Sequence, residues 1–187
     1  MRTIPLADLP EAEPLPLSLL GPGDEAWQRG IRLVDRDDGL GGRVTAGSWM
    51  SGAFATSAFT FGGHEWMYVL DGRIEIATPG GHWILGPGDA GVVPSGTRCT
   101  WTQPLPVMKV FLRWDGPSPD QSAPLWHSSE PGPGRSFSYL DHKAALFATR
   151  DSASWLSVAH VVEITLDGTA ACIRSEPFRM HLAEPTG

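Results

Sequence analysis

Residues 64–101 read HEWMYVLDGRIEIATPGGHWILGPGDAGVVPSGTRCTW, and the fold is decided there. From Glu65 onward Met67 and Val69 share one face of a strand, while Trp66, Tyr68 and Leu70 share the other. Asp71-Gly72 is a signal for a tight two-residue hairpin, because both central residues of such a turn need positive φ. Arg73-Ile74-Glu75-Ile76 alternates polar and apolar as the returning strand, and Pro79-Gly80-Gly81 breaks it. His82 to Leu85 is another short strand, followed by a tight turn at Gly86-Pro87-Gly88-Asp89. Val92-Val93 then leads through Pro94-Ser95-Gly96 to a strand on which Thr97, Cys99 and Trp101 share a face. Short strands at regular spacing with Gly/Pro turns predict an all-β sandwich or barrel.

Two spacings inside the stretch carry a resemblance. Glu65 precedes Gly72 by six intervening residues, and Gly88 is followed by five residues, Pro94, one residue and Gly96. In order and spacing these resemble the paired motifs of the cupin superfamily. The fold this implies is all-β: a cupin double-stranded β-helix, or RmlC-like jelly-roll barrel. Trp101, the early Gly47-Ser48-Trp49 and the GPGD turn look like the subfamily of the (S)-ureidoglycine aminohydrolase. The resemblance covers roughly residues 30–114, which are expected to form one complete barrel.

Outward from the barrel, residues 1–29 are expected to be an extended arm. Leu15, Leu17, Leu19 and Leu20 are too apolar for a free tail, so the arm should lie across the barrel or a neighbouring subunit. Ile31 to Val34 is the first strand, closed by a turn at Asp37-Asp38-Gly39. Val44 to Met50 and Ala53 to Phe61 are the next two, and Val107 to Trp114 closes the barrel. In residues 115–135, 12 of the 21 are Pro, Gly or Ser, the composition of a linker. Beyond it, residues 159–168 overlay residues 63–72 at a constant offset of 96, sharing the His, the Leu and the Asp-Gly. Residues 136–187 therefore read as an incomplete second cupin-like repeat at the C-terminus, with a chance likeness of one strand and one turn as the alternative. Its open sheet edges should pack on the first barrel or pair with another chain. Asp141 to Arg150 has the spacing of a short helix as an alternative to strand.

Composition narrows the classes of function. The chain has 187 residues and a formal net charge of −7, without a basic cluster, which excludes nucleic acid and anionic membrane as natural partners. No apolar run approaches the ~18 residues needed to span a bilayer. The first residues, broken by Pro5, Pro10, Pro14 and Pro16, do not read as a secretion signal. Two cysteines, Cys99 and Cys172, are too few for a disulfide framework, so the expectation is a cytoplasmic protein with free thiols.

The chemistry is less legible. The cupin resemblance implies a metal site of two His spaced HxH, the first-motif Glu and a second-motif His, suited to Mn, Fe, Ni or Zn. Here the HxH positions fall on Phe59 and Phe61, or one residue earlier on Ala58 and Thr60, and the second-motif position on Cys99. The aminohydrolase pattern places Glu and His at the two Phe positions, His at Glu65 and Gln at Cys99, and none of the four is matched. No cofactor is therefore expected; were a divalent metal present, Glu65 and Cys99 would have to hold it.

Glu65 then needs another account, since an ionised carboxylate is costly to bury. A metal, a hydrogen-bonding partner such as Thr97, Gln103 or Arg113, or a raised pKa would each resolve it. Cys99 reads as a small buried filler more readily than as a nucleophile. His64 is expected at a strand start on the surface, and His82 on an exposed strand; His127, His142 and His160 form no metal spacing.

Trp49, Phe59, Phe61, Met67, Cys99 and Trp101 are expected to line the interior around Glu65, as in a concave, mostly apolar small-molecule site. Filling of the barrel by those rings is the alternative. The function expected is binding of a small organic molecule, without enzymatic activity assigned. A divergent metal-dependent enzyme and a non-catalytic partner subunit are the alternatives. A homodimer is expected, with Trp66 and Trp83 as a sheet-to-sheet contact.

Overall fold

Alternation in the sequence becomes strand after strand, because pleated backbone sends successive side chains to opposite faces. The computed structural model describes residues 2–3, 11, 27–37, 41–116, 126–127, 137–140, 144–149, 151–157, 160–167 and 170–177. Leu15, Leu17, Leu19, Leu20, Gly39, His142 and most of the Pro/Gly/Ser-rich segment lie outside these.

In chain order the strands are β1 (Arg2–Thr3), β2 (Gln28–Asp37), β3 (Arg43–Ser51), β4 (Phe54–Ala55), β5 (Phe59–Thr60) and β6 (His64–Asp71). They continue with β7 (Ile74–Thr78), β8 (Gly81–Leu85), β9 (Ala90–Val93), β10 (Arg98–Gln103), β11 (Val107–Asp115) and β12 (Trp126–His127). The last are β13 (Phe137–Leu140), β14 (Ala144–Ala148), β15 (Ser152–Ser157), β16 (His160–Asp167) and β17 (Ala170–Pro177). The protein is all-β and matches the jelly-roll expectation. At Ala144–Ala148 the chain is strand and not the helix that spacing allowed.

Three sheets stack in layers. The middle one runs β12-β9-β6-β11-β3-β2, and an inner one runs β4-β10-β7-β8 with β5 also on β10. Between them lies the barrel core, including Met67, Val69, Ile74, Ile76, Leu85, Val93, Cys99, Trp101 and Val107. The third sheet, β1-β17-β16-β15-β14-β13, is an antiparallel meander with β1 added at its edge. It covers the outer face of the middle sheet, so that Val44, Ala46, Trp66, Val110, Leu112 and Trp114 share one cluster with Leu146, Trp155, Val162, Ile164 and Ile173. The offset of 96 links two strands of the same length, His64–Asp71 in the middle sheet and His160–Asp167 in the third.

Two expectations change here. Asp71-Gly72 does not close a hairpin: β6 pairs with β9 and β11, whereas β7 pairs with β8 and β10. The turn carries the chain from one sheet to the other. Gly72 alone takes positive φ (82°), and no residue other than glycine does so among those described. Trp66, expected at a dimer contact, is fully enclosed within the chain, and its Nε1 donates to the Thr149 carbonyl oxygen at 3.2 Å.

Candidate functional site

The inner faces of β2, β3, β6, β10 and β11 line an open cavity of about 530 Å³. Register determines which side chains meet in it. Arg113 on β11 stands directly opposite Glu65 on β6 and Thr45 on β3, while Lys109 stands opposite Trp49 on β3. Alternation along β11 turns Val107, Lys109, Phe111 and Arg113 inward and Val110, Leu112 and Trp114 toward the third sheet.

Glu65 is 5% exposed and Lys109 6% exposed, both far below what is usual for charged residues. The Lys109 ammonium donates to Glu65 Oε1 at 2.5 Å. It also lies 4.8 Å from the ring centre of Trp49 and 4.7 Å from that of Trp101, inside the ~6 Å range of a cation–π contact. Hydrogen bonds hold both rings: Trp49 Nε1 donates to Gln28 Oε1 (2.6 Å) and Trp101 Nε1 to Gln103 Oε1 (3.0 Å). Gln103 in turn donates to Ser51 Oγ and to the Gly52 carbonyl oxygen. Phe61 stacks on Trp101, and Phe59 leans on Phe61 with ring centres 5.9 Å apart.

Arg113 joins the pair from the other side. Its Nη1 is 3.7 Å from Glu65 Oε2, an ionic contact too long for a hydrogen bond. Its Nε donates to Asp115 Oδ1 and Oδ2 at 2.8 and 3.0 Å. Burial weakens the guanidinium's hold on its proton, but the Asp115 hydrogen bond and the charges of Glu65 and Asp115 outweigh this, leaving its pKa above the usual arginine value.

Of the residues singled out from sequence, Glu65, Trp49, Phe59, Phe61 and Trp101 are brought together on the cavity wall. Met67 and Cys99 are not on that wall; both are packed in the apolar cluster of the barrel. Burial pushes the Cys99 thiol up to about 11, which favours its protonated form at neutral pH. Gln103, a candidate partner for Glu65, braces Trp101 and Ser51 instead, and Thr97 lends its carbonyl oxygen to the Phe61 amide.

His64 is not at the surface. It is 3% exposed, stacks on Trp114 with ring centres 5.3 Å apart, and its Nδ1 accepts the Ser95 amide hydrogen. Burial lowers its pKa, with the Asp115 charge opposing. His82 is exposed beside Glu75.

Lys109 is the residue that sequence reasoning missed. Its signal was present: Lys109 and Arg113 alternate with Val110, Leu112 and Trp114. That pattern reads as a solvent face opposite a core face, and only the covering third sheet reverses it.

A cupin-type metal does not fit these residues. Among the described residues no three His, Cys, Asp or Glu side chains gather to hold an ion. Phe59 and Phe61 offer no donor, Cys99 lies off the cavity wall in the apolar cluster, and the Glu65 carboxylate already faces an ammonium at hydrogen-bond distance.

Among comparisons with known proteins, the EutQ-like cupin domain family matches residues 40–111, within the barrel. No curated protein matches. Among solved structures, the chain is similar to a protein of unknown function of the DUF861 family from Pseudomonas syringae pv. tomato. There the identity is 25% and the TM-score 0.49, over 58% of this chain and 45% of that one. The chain thus spans less than half the length of that relative. It is also similar to the Clostridium difficile EutQ protein (15% identity, TM-score 0.45, 60% of this chain and 83% of that one). A putative ethanolamine utilization protein Q from Salmonella typhimurium matches at 22% identity and TM-score 0.40, over 49% and 72% of the two chains.

Proposed function

We propose, for a chain whose residues 40–111 form a cupin domain of the EutQ-like type, that the barrel binds a small organic molecule between its aromatic walls. The Glu65–Lys109 pair is the polar anchor, and no resident metal takes part. The observation that supports this reading is the hollow of about 530 Å³ left among Trp49, Phe59, Phe61 and Trp101. Side chains can fill a barrel of this size completely. Here they leave a volume in the ~300–1,000 Å³ range of small-molecule sites, with six aromatic side chains facing a larger set of polar and charged ones. Hydrogen bonds from the two indoles fix the wall in advance, which reduces the ordering cost of binding.

An aminohydrolase of the ureidoglycine type draws less support, because its chemistry needs donors where this chain carries Phe59, Phe61 and a protonated Cys99. The role we propose is sensing, storage or accessory binding.

The test is thermal unfolding, followed by tryptophan fluorescence, of EDTA-treated protein against a mixed set of small acids, amides, amines and sugars. At least one member should raise the midpoint saturably. Trp101→Ala, which removes one wall, should weaken that response roughly tenfold. A set in which no member shifts the midpoint would overturn the reading.

A further inference from the structure

We infer that the guest of the cavity is a small organic acid, and that the Lys109 ammonium is the fixed cation that receives its carboxylate. This rests on the binding role proposed above and names the class of molecule bound. The charged lining consists of Arg32, Arg43, Lys109 and Arg113 against Glu65 and Asp115, two more positive groups than negative. Arg32 and Arg43 are more than half exposed at the mouth, where Asp35 and Asp37 offset their charge. Against the −7 of the chain as a whole, the lining is thus less negative than the molecule around it.

Hydrogen-bond capacity points the same way. Of the carboxylate acceptors, Glu65 Oε1 is engaged by Lys109 and both Asp115 oxygens by Arg113, while Glu65 Oε2 has only the 3.7 Å contact with Arg113. Donors remain. An ammonium has three N–H groups, and among the described residues Lys109 hydrogen-bonds only Glu65, its other flanks being indole faces. Arg113 directs Nε and Nη2 to Asp115 and leaves Nη1 3.7 Å from Glu65, beyond hydrogen-bond length. A site with more spare donors than spare acceptors selects a guest that accepts.

The aromatic box would otherwise favour a cation. In this chain that place is already filled from within. The Lys109 side chain is 8% exposed and its ammonium sits between Trp49 and Trp101, so an incoming amine meets a like charge. A carboxylate at Lys109, with its apolar body along Phe59 and Phe61, satisfies both halves of the cavity. The ammonium thereby supplies, beside Glu65, the positive charge that the donor set does not allow a metal to supply.

The experiment is calorimetric titration of EDTA-treated protein with matched series on three carbon skeletons: acetate, acetamide and ethylamine; isobutyrate, isobutyramide and isobutylamine; benzoate, benzamide and benzylamine. On the skeleton that binds best, the acid should bind at least ten times more tightly than its amide, with the amine weakest. The double variant Glu65→Gln/Lys109→Met removes both charges together; in it the preference should fall below threefold while amide binding persists.

An amide or amine that binds as tightly as its acid overturns the assignment of ligand class and leaves the binding role standing. So does a double variant that keeps the preference. Acid binding that requires added Mn or Zn overturns the part given to Lys109. Absence of saturable binding on all three skeletons overturns the inference and the binding role together. The acid–amide comparison on the unaltered protein decides the class even if the double variant fails to fold.

Discussion

A lysine whose ammonium is enclosed by two indoles is held there by one carboxylate, and the consequences are asymmetric. Removing one member of a buried pair strands the other, whereas removing both does not. Lys109→Met should therefore cost about 3 kcal/mol of unfolding free energy, because buried Glu65 loses its hydrogen-bonded cation and keeps only the longer Arg113 contact. Glu65→Gln should cost less, about 1–3 kcal/mol, since the amide oxygen still accepts from the ammonium. The double variant should recover much of the loss. Urea unfolding of all three, read as a double-mutant cycle, checks this; costs that simply add would show that the pair is not coupled.

At this scale the sequence was half legible. Motif spacing located Glu65, Phe59, Phe61 and Trp101 on the wall, because the barrel fixes which positions face inward. It did not locate Lys109, since alternation says that two faces differ without saying which one is covered. His64 was misread for the same reason: its outward face lies under Trp114 and not under water.

Strands show what the motif spacings are for. Gly72, Gly88 and Gly96, the three glycines that carried the resemblance, all take positive φ of 82°–88°. They were legible because only glycine adopts that backbone without strain. What Gly72 does was not legible. A dipeptide signals a tight turn but not whether the strands beside it pair, and here Pro106 and Val107 crowd the turn from the neighbouring connection.

Two strands begin alike, β6 with His64 and β16 with His160, and both imidazoles are buried. Burial comes first among the causes that lower each pKa below the usual 6.5, with Asp115 opposing at His64 and Arg36 adding at His160. The unfolded chain therefore binds these protons more readily than the folded one. Stability is full above pH ~6.5 and falls as the pH drops below it. His64→Gln should flatten the slope between about pH 6.5 and 5 in urea midpoints measured across pH; an unchanged slope would remove His64 as its source.

For the whole molecule, the layer order matters most. The third sheet buries Trp155 completely, against Trp114 at 6.3 Å between ring centres. Trp155→Ala should cost about 3–5 kcal/mol in urea unfolding, as expected for a large side chain deleted from a packed interior. A cost under ~1 kcal/mol would mean the sheet is not part of the core. The offset of 96 marked residues 160–167 as strand-like, and packing on the barrel was one of two expectations for this portion, but nothing in the sequence said which face it would cover. Packing between layers depends on side chains far apart in sequence, and local pattern does not carry it.

Arg2–Thr3 adds an edge strand beside Cys172–Ile173, so the outermost layer is joined by parts of the chain about 170 residues apart. In a growing chain the barrel strands precede most of the layer that covers their back, so Trp66, Trp114 and the valines beside them stay bare until that layer arrives. Translation speed through the later strands should then set how long that face is exposed.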